Sequence, residues 1–519
     1  MKFSFNKLAG VARQALTTRQ HSPFSAGGWA TVAFIISGAL SALLYIPLAR
    51  LLTSTDFGLY AEAVVIYSGI ILVLENTLIR ALVRTPGERD ELALATLWLS
   101  ALAGLVGAGV CALAGWPMSV IYNDTRLIGV FLLLAPGVLA VALSTVPYAL
   151  LTRELDFRRK LLPDTIGAAL AIVAGIGAAL LHFGVYSLII HTVALAIFRS
   201  LVAWLVVRWR PVRSKPNWAL FRQLLGFGLP ASGGEITLYA RFNIDTLLGG
   251  YRLGTDALGV YSLAWSTAER PAMFIKAFFG EVGYAAYARL QQNRPQLIRL
   301  FLTSTRLIAI LMCSVFLSAL FVRQELVGVI FGNRWQGLVE PLLPLVILQV
   351  LWLVAYPSVT MVLALGHSRV YATINTLSLL GTFGAVLIGS GLGIVELSWA
   401  MLLAVGLTSL VWIGLAFWYL RPGKAEIWQA AGLPLLFTLI TVGVVAATQA
   451  LFSLAGITNS LVRLAVAGLV GLIAFVVLVR FNWVALRADF NLLRQKLPQE
   501  ESQAEPEQKA EQEAASVGF

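Results

Sequence analysis

The chain has 519 residues, of which 58% are hydrophobic and only 12% charged, and long apolar runs recur almost to its end. At about 1.5 Å of rise per residue, runs of about 20 residues cross a hydrocarbon core of about 30 Å, and soluble cores rarely repeat such runs back to back. The formal charge of +12 lies in short basic clusters between the apolar runs and not in one groove-like domain, so nucleic acid is excluded as a partner and the charge reads as a topology signal.

Residues 1–26 carry Lys2, Lys7, Arg13 and Arg19, with Phe5, Leu8, Ala12 and Leu16 loosely at helical spacing. The segment fits an interfacial amphipathic helix or a plain basic cytoplasmic tail. The first apolar run begins only near Gly27 and many others follow it, so no cleavable signal peptide is expected. About fourteen membrane spans follow, centred on 29–49, 58–79, 92–116, 127–149, 162–181, 185–207, 225–249, 258–280, 299–320, 338–362, 370–390, 393–418, 431–452 and 460–480. With that count every rich basic cluster falls on one side, among them Arg80, Arg84 and Arg89, then Arg153 to Lys160, Arg208 to Arg222, and Arg480 to Lys496. The positive-inside rule makes that side the cytoplasm and puts both termini there.

A short internal repeat organises the spans. "LARLLTSTDFGLYAEAV" at 48–64 corresponds to "GGYRLGTDALGVYSLAW" at 249–265, aligning Asp56 with Asp256, Gly58 with Gly259 and Tyr60 with Tyr261 at nearly the same offset. The all-α, polytopic membrane fold expected from this has two six-helix lobes, 27–210 (spans 1–6) and 211–420 (spans 7–12), and a C-terminal helix pair at 421–480. Six spans is an even number, so the lobes enter the membrane in the same orientation and are parallel repeats with a cavity between them. Residues 481–519 read as a cytoplasmic tail, acidic and disordered from about 498.

Charges inside the apolar runs mark the candidate site, because an isolated charge at mid-bilayer costs about 2.5–3.5 kcal/mol on insertion scales and needs a partner or a wet cavity. Spans 7 and 8 hold Glu235, Arg241, Asp245, Glu269, Arg270 and Lys276. Arg241 and Asp245, four residues apart on a helix, are placed to pair. Tyr261, Trp265, Glu269 and Lys276 fall within one arc of span 8, with Arg270 on nearly the opposite side and Pro271 placed to bend the helix. Arg241, Arg270 and Lys276 are the candidates for holding an anionic group, with the nearby carboxylates orienting them; internal ion pairing that merely joins the two spans is the competing reading.

The first lobe offers Arg80 and Arg199 as further cavity cations and Glu62 and Glu75 as pairing or ion-coupling groups. Tyr60, Tyr239, Tyr261 and Trp265 are candidates to border a sugar or headgroup, with interface anchoring or packing as the alternative. Cys111 and Cys313 sit in apolar segments with no ligand spacing and read as packing residues. The four histidines are scattered and match no metal site, and no Walker loop, dinucleotide fingerprint or catalytic triad is present, so neither a cofactor nor an enzyme activity is expected.

"IPLARLLTSTDFGLYAEAVVIYSG", "LTRELDFRRKLL", "FGVYSLI", "GLPASGGEITLYARFNIDTLLGGYRLGTDALGVYSLAW" and "GNRWQGLVEPLLPL", spread over about 46–345, together resemble the polysaccharide transporter family within the multidrug, oligosaccharidyl-lipid and polysaccharide exporter superfamily. The resemblance implies a flippase. It would move undecaprenyl-pyrophosphate-linked oligosaccharide units from the cytoplasmic to the outer face of the bacterial inner membrane, for lipopolysaccharide, exopolysaccharide or capsule. It also implies cationic contacts to pyrophosphate or acidic sugars, at Arg241, Arg270 and Lys276. Implied partners are the lipid-linked oligosaccharide and anionic membrane lipids, with glycosyltransferases and a polysaccharide polymerase nearby, and coupling to H+ or Na+ is compatible with it. A small-molecule cation antiporter of related fold, a membrane polymerase or glycosyltransferase, and a noncatalytic scaffold are the alternatives. The first predicts a compact acidic pocket, the second a sizeable catalytic loop, the third no cavity.

Overall fold

In lipid a chain has no water to satisfy exposed backbone groups, so the spanning elements must be helices or a closed barrel. The computed structural model, which describes residues 44–85, 88–154, 156–211 and 218–494, is all-α among those residues. We number its helices α1 (44–51), α2 (Ser54–Arg84), α3 (Arg89–Ile121), α4 (Arg126–Arg153), α5 (Phe157–Leu180), α6 (Val185–Val206), α7 (Trp218–Leu253) and α8 (Thr255–Arg289). They continue as α9 (Arg294–Phe321), α10 (Val339–Ala364), α11 (Ser368–Gly389), α12 (Ile394–Leu420), α13 (Lys424–Leu454), α14 (Ser460–Phe481) and α15 (Trp483–Arg494). Local chemistry sets several starts: Thr53 and Asp56 form a capping box on α2, and the side chains of Asp156, Asn293 and Asn459 cap α5, α9 and α14.

The protein is a polytopic membrane protein. Eleven helices among the described residues are long and apolar enough to cross a membrane, namely α2–α6 and α9–α14. The two long helices outside that set, α7 with 36 residues and α8 with 35, carry Arg241, Asp245, Glu269, Arg270 and Lys276. Leu113, Leu205 and Leu439 are more than 70% exposed, although each lies inside a spanning helix, which is the signature of a lipid-facing belt.

Helices α2–α6 pack on one another, α3 along α4 and α5 along α6. Helices α8–α12 form a second packed group centred on α10, and α13 leans on α9 with α14 outside it. The two groups meet along α2, which lies against both α7 and α8, with α3 also touching α7. The helix ends bearing Arg84, Arg89, Arg153, Arg289, Arg294 and Arg421 lie on one side, called the basic end below.

Several elements differ from the sequence reading. Between α9 and α10 the chain forms a two-turn helix, Arg323–Ile330, and a 3-10 turn, Asn333–Leu338. Helix α15 occupies the start of the supposed tail, where alternating apolar and charged residues concealed a short amphipathic helix. The amphipathic reading of 1–26 and the disorder expected from about 498 concern segments outside the described residues.

Candidate functional site

At the end opposite the basic one, α2 and α8 cross with their backbones in contact, and glycine is what permits it. A Cβ on Gly58 would sit 1.9 Å from the Thr255 carbonyl oxygen, and a Cβ on Gly259 would sit 1.8 Å from the Ser54 carbonyl oxygen. These are the two glycines aligned by the internal repeat, so the crossing is reciprocal. Asp256 of α8 accepts hydrogen bonds from the Ser54 hydroxyl (3.4 Å) and from the Thr55 hydroxyl of α2. Ala179 of α5 and Leu188 of α6 pack in the same apolar cluster as Leu258 and Tyr261 of α8, which extends the closure to the ends of α5 and α6.

Helix α1 is held to the second group at this end by an exchange of helix-terminal groups. Arg50 donates to the Ile330 carbonyl (3.1 Å) and to that of Val329, at the C-terminus of the two-turn helix. In return Arg334 and the Trp335 indole donate to the Ala49 carbonyl at 2.6 and 2.7 Å, and Trp335 meets Phe57 edge-on at 5.4 Å. Each donor satisfies carbonyls that a helix end leaves without partners.

On the α8 face toward α1, the Arg270 guanidinium lies 3.4 Å from the centre of the Tyr45 ring. Among the described residues no carboxylate pairs with it, and its Nε is buried without a hydrogen-bond partner. Tyr60 of α2 and His191 of α6 are within electrostatic reach of it, so this cation stands where both groups converge. The other face of α8 holds the expected arc: Lys276 pairs with Glu269 at 3.5 Å, the Trp265 indole donates to Glu269 at 2.9 Å, and the Tyr261 and Trp265 rings lie 6.3 Å apart.

The expected Arg241–Asp245 pair does not form. Asp245 accepts from the Tyr261 hydroxyl at 2.6 Å, across from α8. Arg241 is fully buried, donates to the Asn375 side-chain oxygen at 3.2 Å, and stacks 5.0 Å from the rings of both Phe242 and Trp352. The i,i+4 spacing was right for a pair on an isolated helix, but neighbouring helices offered each group a closer partner. Arg241 is therefore enclosed by α7, α10 and α11, and its Nε and Nη2 have no hydrogen-bond partner among the described residues.

In the first group, Arg199 is well supplied. Its Nε donates to Asp164 at 2.9 Å and to the Tyr148 hydroxyl at 2.7 Å, its guanidinium lies 4.3 Å from the Tyr148 ring centre, and Glu75 approaches to 3.6 Å. Glu62 is fully buried where α2, α7 and α8 meet; one oxygen accepts from Thr255 (3.0 Å) and the other lacks a partner. Tyr60 bonds Thr192 at 3.1 Å, and Tyr239 donates to the Val65 carbonyl at 2.6 Å, tying α7 to α2. Arg80 and Glu235 lie at positions whose side chains are outside those described. In the short turn between α3 and α4, the Arg126 guanidinium holds the Asp124 carboxyl below its ordinary range. Among the described residues no cluster of three or more His, Cys, Asp or Glu is placed to hold a metal ion, and Cys111 and Cys313 are free thiols.

A family model described as "Polysaccharide biosynthesis protein" matches residues 47–340, which include the crossing, the exchange of helix ends and the charged faces of α7 and α8. The chain belongs to this family, within the multidrug, oligosaccharidyl-lipid and polysaccharide exporter superfamily. It is similar to the succinoglycan biosynthesis transport protein ExoT of Rhizobium meliloti, 24% identical over 59% of this chain and 62% of that one. It is also similar to the lipopolysaccharide biosynthesis protein WzxC of Escherichia coli, 22% identical over 70% and 74%. With the first of these relatives the chain thus shares less than two thirds of the relative's length. The fold is shared with the lipid II flippase MurJ in an inward closed conformation, at a TM-score of 0.68 and 11% identity over 88% of this chain and 99% of that one. An inward-facing multidrug resistance transporter of the superfamily follows at 0.60, covering 75% and 94%.

Sequence reasoning missed Asp164, Tyr148, Asn375 and Thr255 as partners of the family member's buried charges. Asp164, directly after Pro163 in an apolar run, was a visible signal, since a lone acid in a span needs a cation. Asn375 and Thr255 gave none, because neutral polar residues are common in spanning helices and their partners come from distant parts of the chain.

Proposed function

We propose that this protein is a flippase for lipid-linked oligosaccharides, carrying the polar headgroup between the two helix groups while the lipid tail stays in the bilayer. The observation that carries this reading is Arg270: a cation with no paired carboxylate among the described residues, on the line where both groups converge. Such a group is set to take an anion from outside the protein. Lys276 has Glu269 beside it and is a weaker, exchangeable contact, while Arg241, enclosed in the second group, becomes available to a headgroup only if α7 moves against α10 and α11. A diphosphate fits this donor set, and the aromatic residues Tyr45, Tyr60 and Trp265 offer flat faces to sugar rings. The names of ExoT and WzxC point the same way, to succinoglycan and lipopolysaccharide biosynthesis, whereas a drug antiporter would be expected to concentrate acidic groups at this place.

The moving bodies on this reading are the lobes 27–210 and 211–420, with 421–480 riding on the second. The basic end faces the cytoplasm of a bacterial inner membrane by the positive-inside rule, so the glycine crossing closes the outer side and the conformation is one that awaits substrate from within. Moving a diphosphate and hydroxyls through bare hydrocarbon would leave them without partners, which is why a polar route accelerates the crossing. Glycosyltransferases and a polymerase are the proposed neighbours, as supplier and consumer of the cargo.

The test is movement of radiolabelled polyprenyl-diphosphate oligosaccharides in sealed proteoliposomes, with and without H+ or Na+ gradients. Protein-dependent translocation without glycan cleavage, lost in Arg270→Gln and partly kept in Arg270→Lys, is the expected result. Exchange of a drug-like cation without any glycolipid movement would replace this reading with antiport.

A further inference from the structure

Helix α15 is docked on one side and bare on the other. Leu486 is buried against Ile310 of α9, Phe437 of α13 and Leu478 of α14, and the Asp489 carboxylate pairs with Arg306 of α9. Arg306 also donates to the Gln429 carbonyl at the start of α13, at 3.4 Å. These contacts fix the rotation of α15 about its axis. The side turned away from the protein carries Val484 (85% exposed), Arg487 and Trp483, immediately after Phe481 (84% exposed) at the end of α14.

What covers that face follows from what it continues. Helix α14 presents Leu469, Leu472, Ile473, Val476 and Val477 outward, all exposed, as a strip facing hydrocarbon. The strip ends at Phe481, and over the ten residues that follow Val477 the outward groups change from purely aliphatic to mixed cationic and aromatic, at Arg480, Phe481, Trp483 and Arg487. That change matches the passage in a bilayer from acyl chains to the interface, where aromatic rings and cationic side chains sit together beside the headgroup phosphates. A soluble partner would leave the apolar half of the face unexplained, and a neutral lipid surface would leave the arginine unexplained.

We propose that the outward face of α15, with Phe481 and Trp483 beside it, is a lipid-binding surface that seats an anionic phospholipid, its phosphate at Arg487 and its chains along the lower part of α14. The site fixes the depth in the leaflet of the α13–α14 pair and of the second group it rides with. It depends on the membrane-spanning fold alone and not on what the protein transports.

The full-length protein, with Cys111 and Cys313 replaced by alanine and Val484→Cys carrying a fluorophore, is reconstituted in nanodiscs of phosphatidylcholine mixed with phosphatidylglycerol. Only one of the two lipids is brominated in each preparation. Stronger quenching by brominated phosphatidylglycerol than its mole fraction predicts is expected, with the preference reduced about 5-fold in Arg487→Gln, the share of one surface arginine near an anionic leaflet. High salt should weaken the preference in the same direction. Equal quenching by the two lipids, or a preference untouched by Arg487→Gln, overturns the anionic site. Absence of quenching by either lipid, or a label shielded only in dimers seen by mass photometry, overturns membrane contact and assigns the face to water or to a second copy of the chain. Glycolipid transport measured in parallel separates this outcome from failure of the flippase reading.

Discussion

Gly259→Ala is expected to open the crossed end of the protein. The new methyl carbon would stand 1.8 Å from the Ser54 carbonyl oxygen and 2.9 Å from the Gly58 backbone nitrogen, and both neighbours are backbone atoms that cannot swing aside. Restoring ordinary contact requires α2 and α8 to separate by roughly 1.5 Å at this point. Overpacking of this kind costs about 1–3 kcal/mol. If the cost falls on the closed state alone, the closed population drops by about 5- to 150-fold relative to open states, since 1.4 kcal/mol is about tenfold. The assay is the rate at which a membrane-impermeant maleimide modifies Ala179→Cys, in a background lacking Cys111 and Cys313. Ala179 is only 3% exposed at the end of α5, in the apolar cluster that continues through α1 and α2 to Leu258 and Tyr261 of α8, so its accessibility reports opening. The rate is expected to rise by the same factor, while transport falls because the end no longer seals. Gly58→Ala should act alike, and the double variant should do less than the sum, because one separation relieves both clashes. Gly109→Ala is the control: nothing lies within 4 Å of its added carbon, and it should leave the rate unchanged. An unaltered rate in Gly259→Ala with transport intact would refute the reasoning.

Other expectations follow from the same geometry. Asp164→Asn removes the nearer carboxylate of Arg199; with the two side chains 26% and 31% exposed, the loss should be about 1–2 kcal/mol and not the 3–5 of a fully buried pair, and a cycle with Arg199→Gln should be non-additive. Additive losses in thermal unfolding would mean the pair is not coupled. Trp335→Phe deletes the indole bond to the Ala49 carbonyl but keeps the edge contact with Phe57, and since Arg334 still serves that carbonyl the cost should be only about 0.5–1.5 kcal/mol. The double change with Arg334→Ala should cost more than both losses together and raise Ala179→Cys accessibility; independent losses would show that the two donors do not share one acceptor. For Asp124, a carboxyl held low by Arg126 adds stability that is present above the unfolded value of about 3.9 and disappears as pH falls through the folded value. With Arg126 half exposed this amounts to under about 1 kcal/mol, so Asp124→Asn should lower stability at neutral pH and have no effect at strongly acid pH. An effect that grows on acidification would reverse the sign argued here.

The periodic apolar runs determined the membrane class and most helices, because length and hydropathy are local properties that lipid enforces on each span separately. The same locality placed Glu269, Lys276 and Trp265 on one face of α8, where the 3.6-residue turn alone brings them together. It failed at Arg241 and Asp245, four residues apart on one helix, because Asn375, Trp352 and Tyr261 come from other helices and outcompete the local partner. The repeat in the sequence paired Gly58 with Gly259, but that the two meet each other across the molecule, each against the other helix's backbone, was decided only when α2 and α8 crossed. Helix α15 was overlooked for a related reason, since its short apolar face gains stability only by docking on α9, α13 and α14. What the sequence determined by itself was which segments are helical and lipid-facing. Which charges find partners, and that Arg270 remains without a carboxylate among the described residues, rests on contacts between residues far apart in the chain.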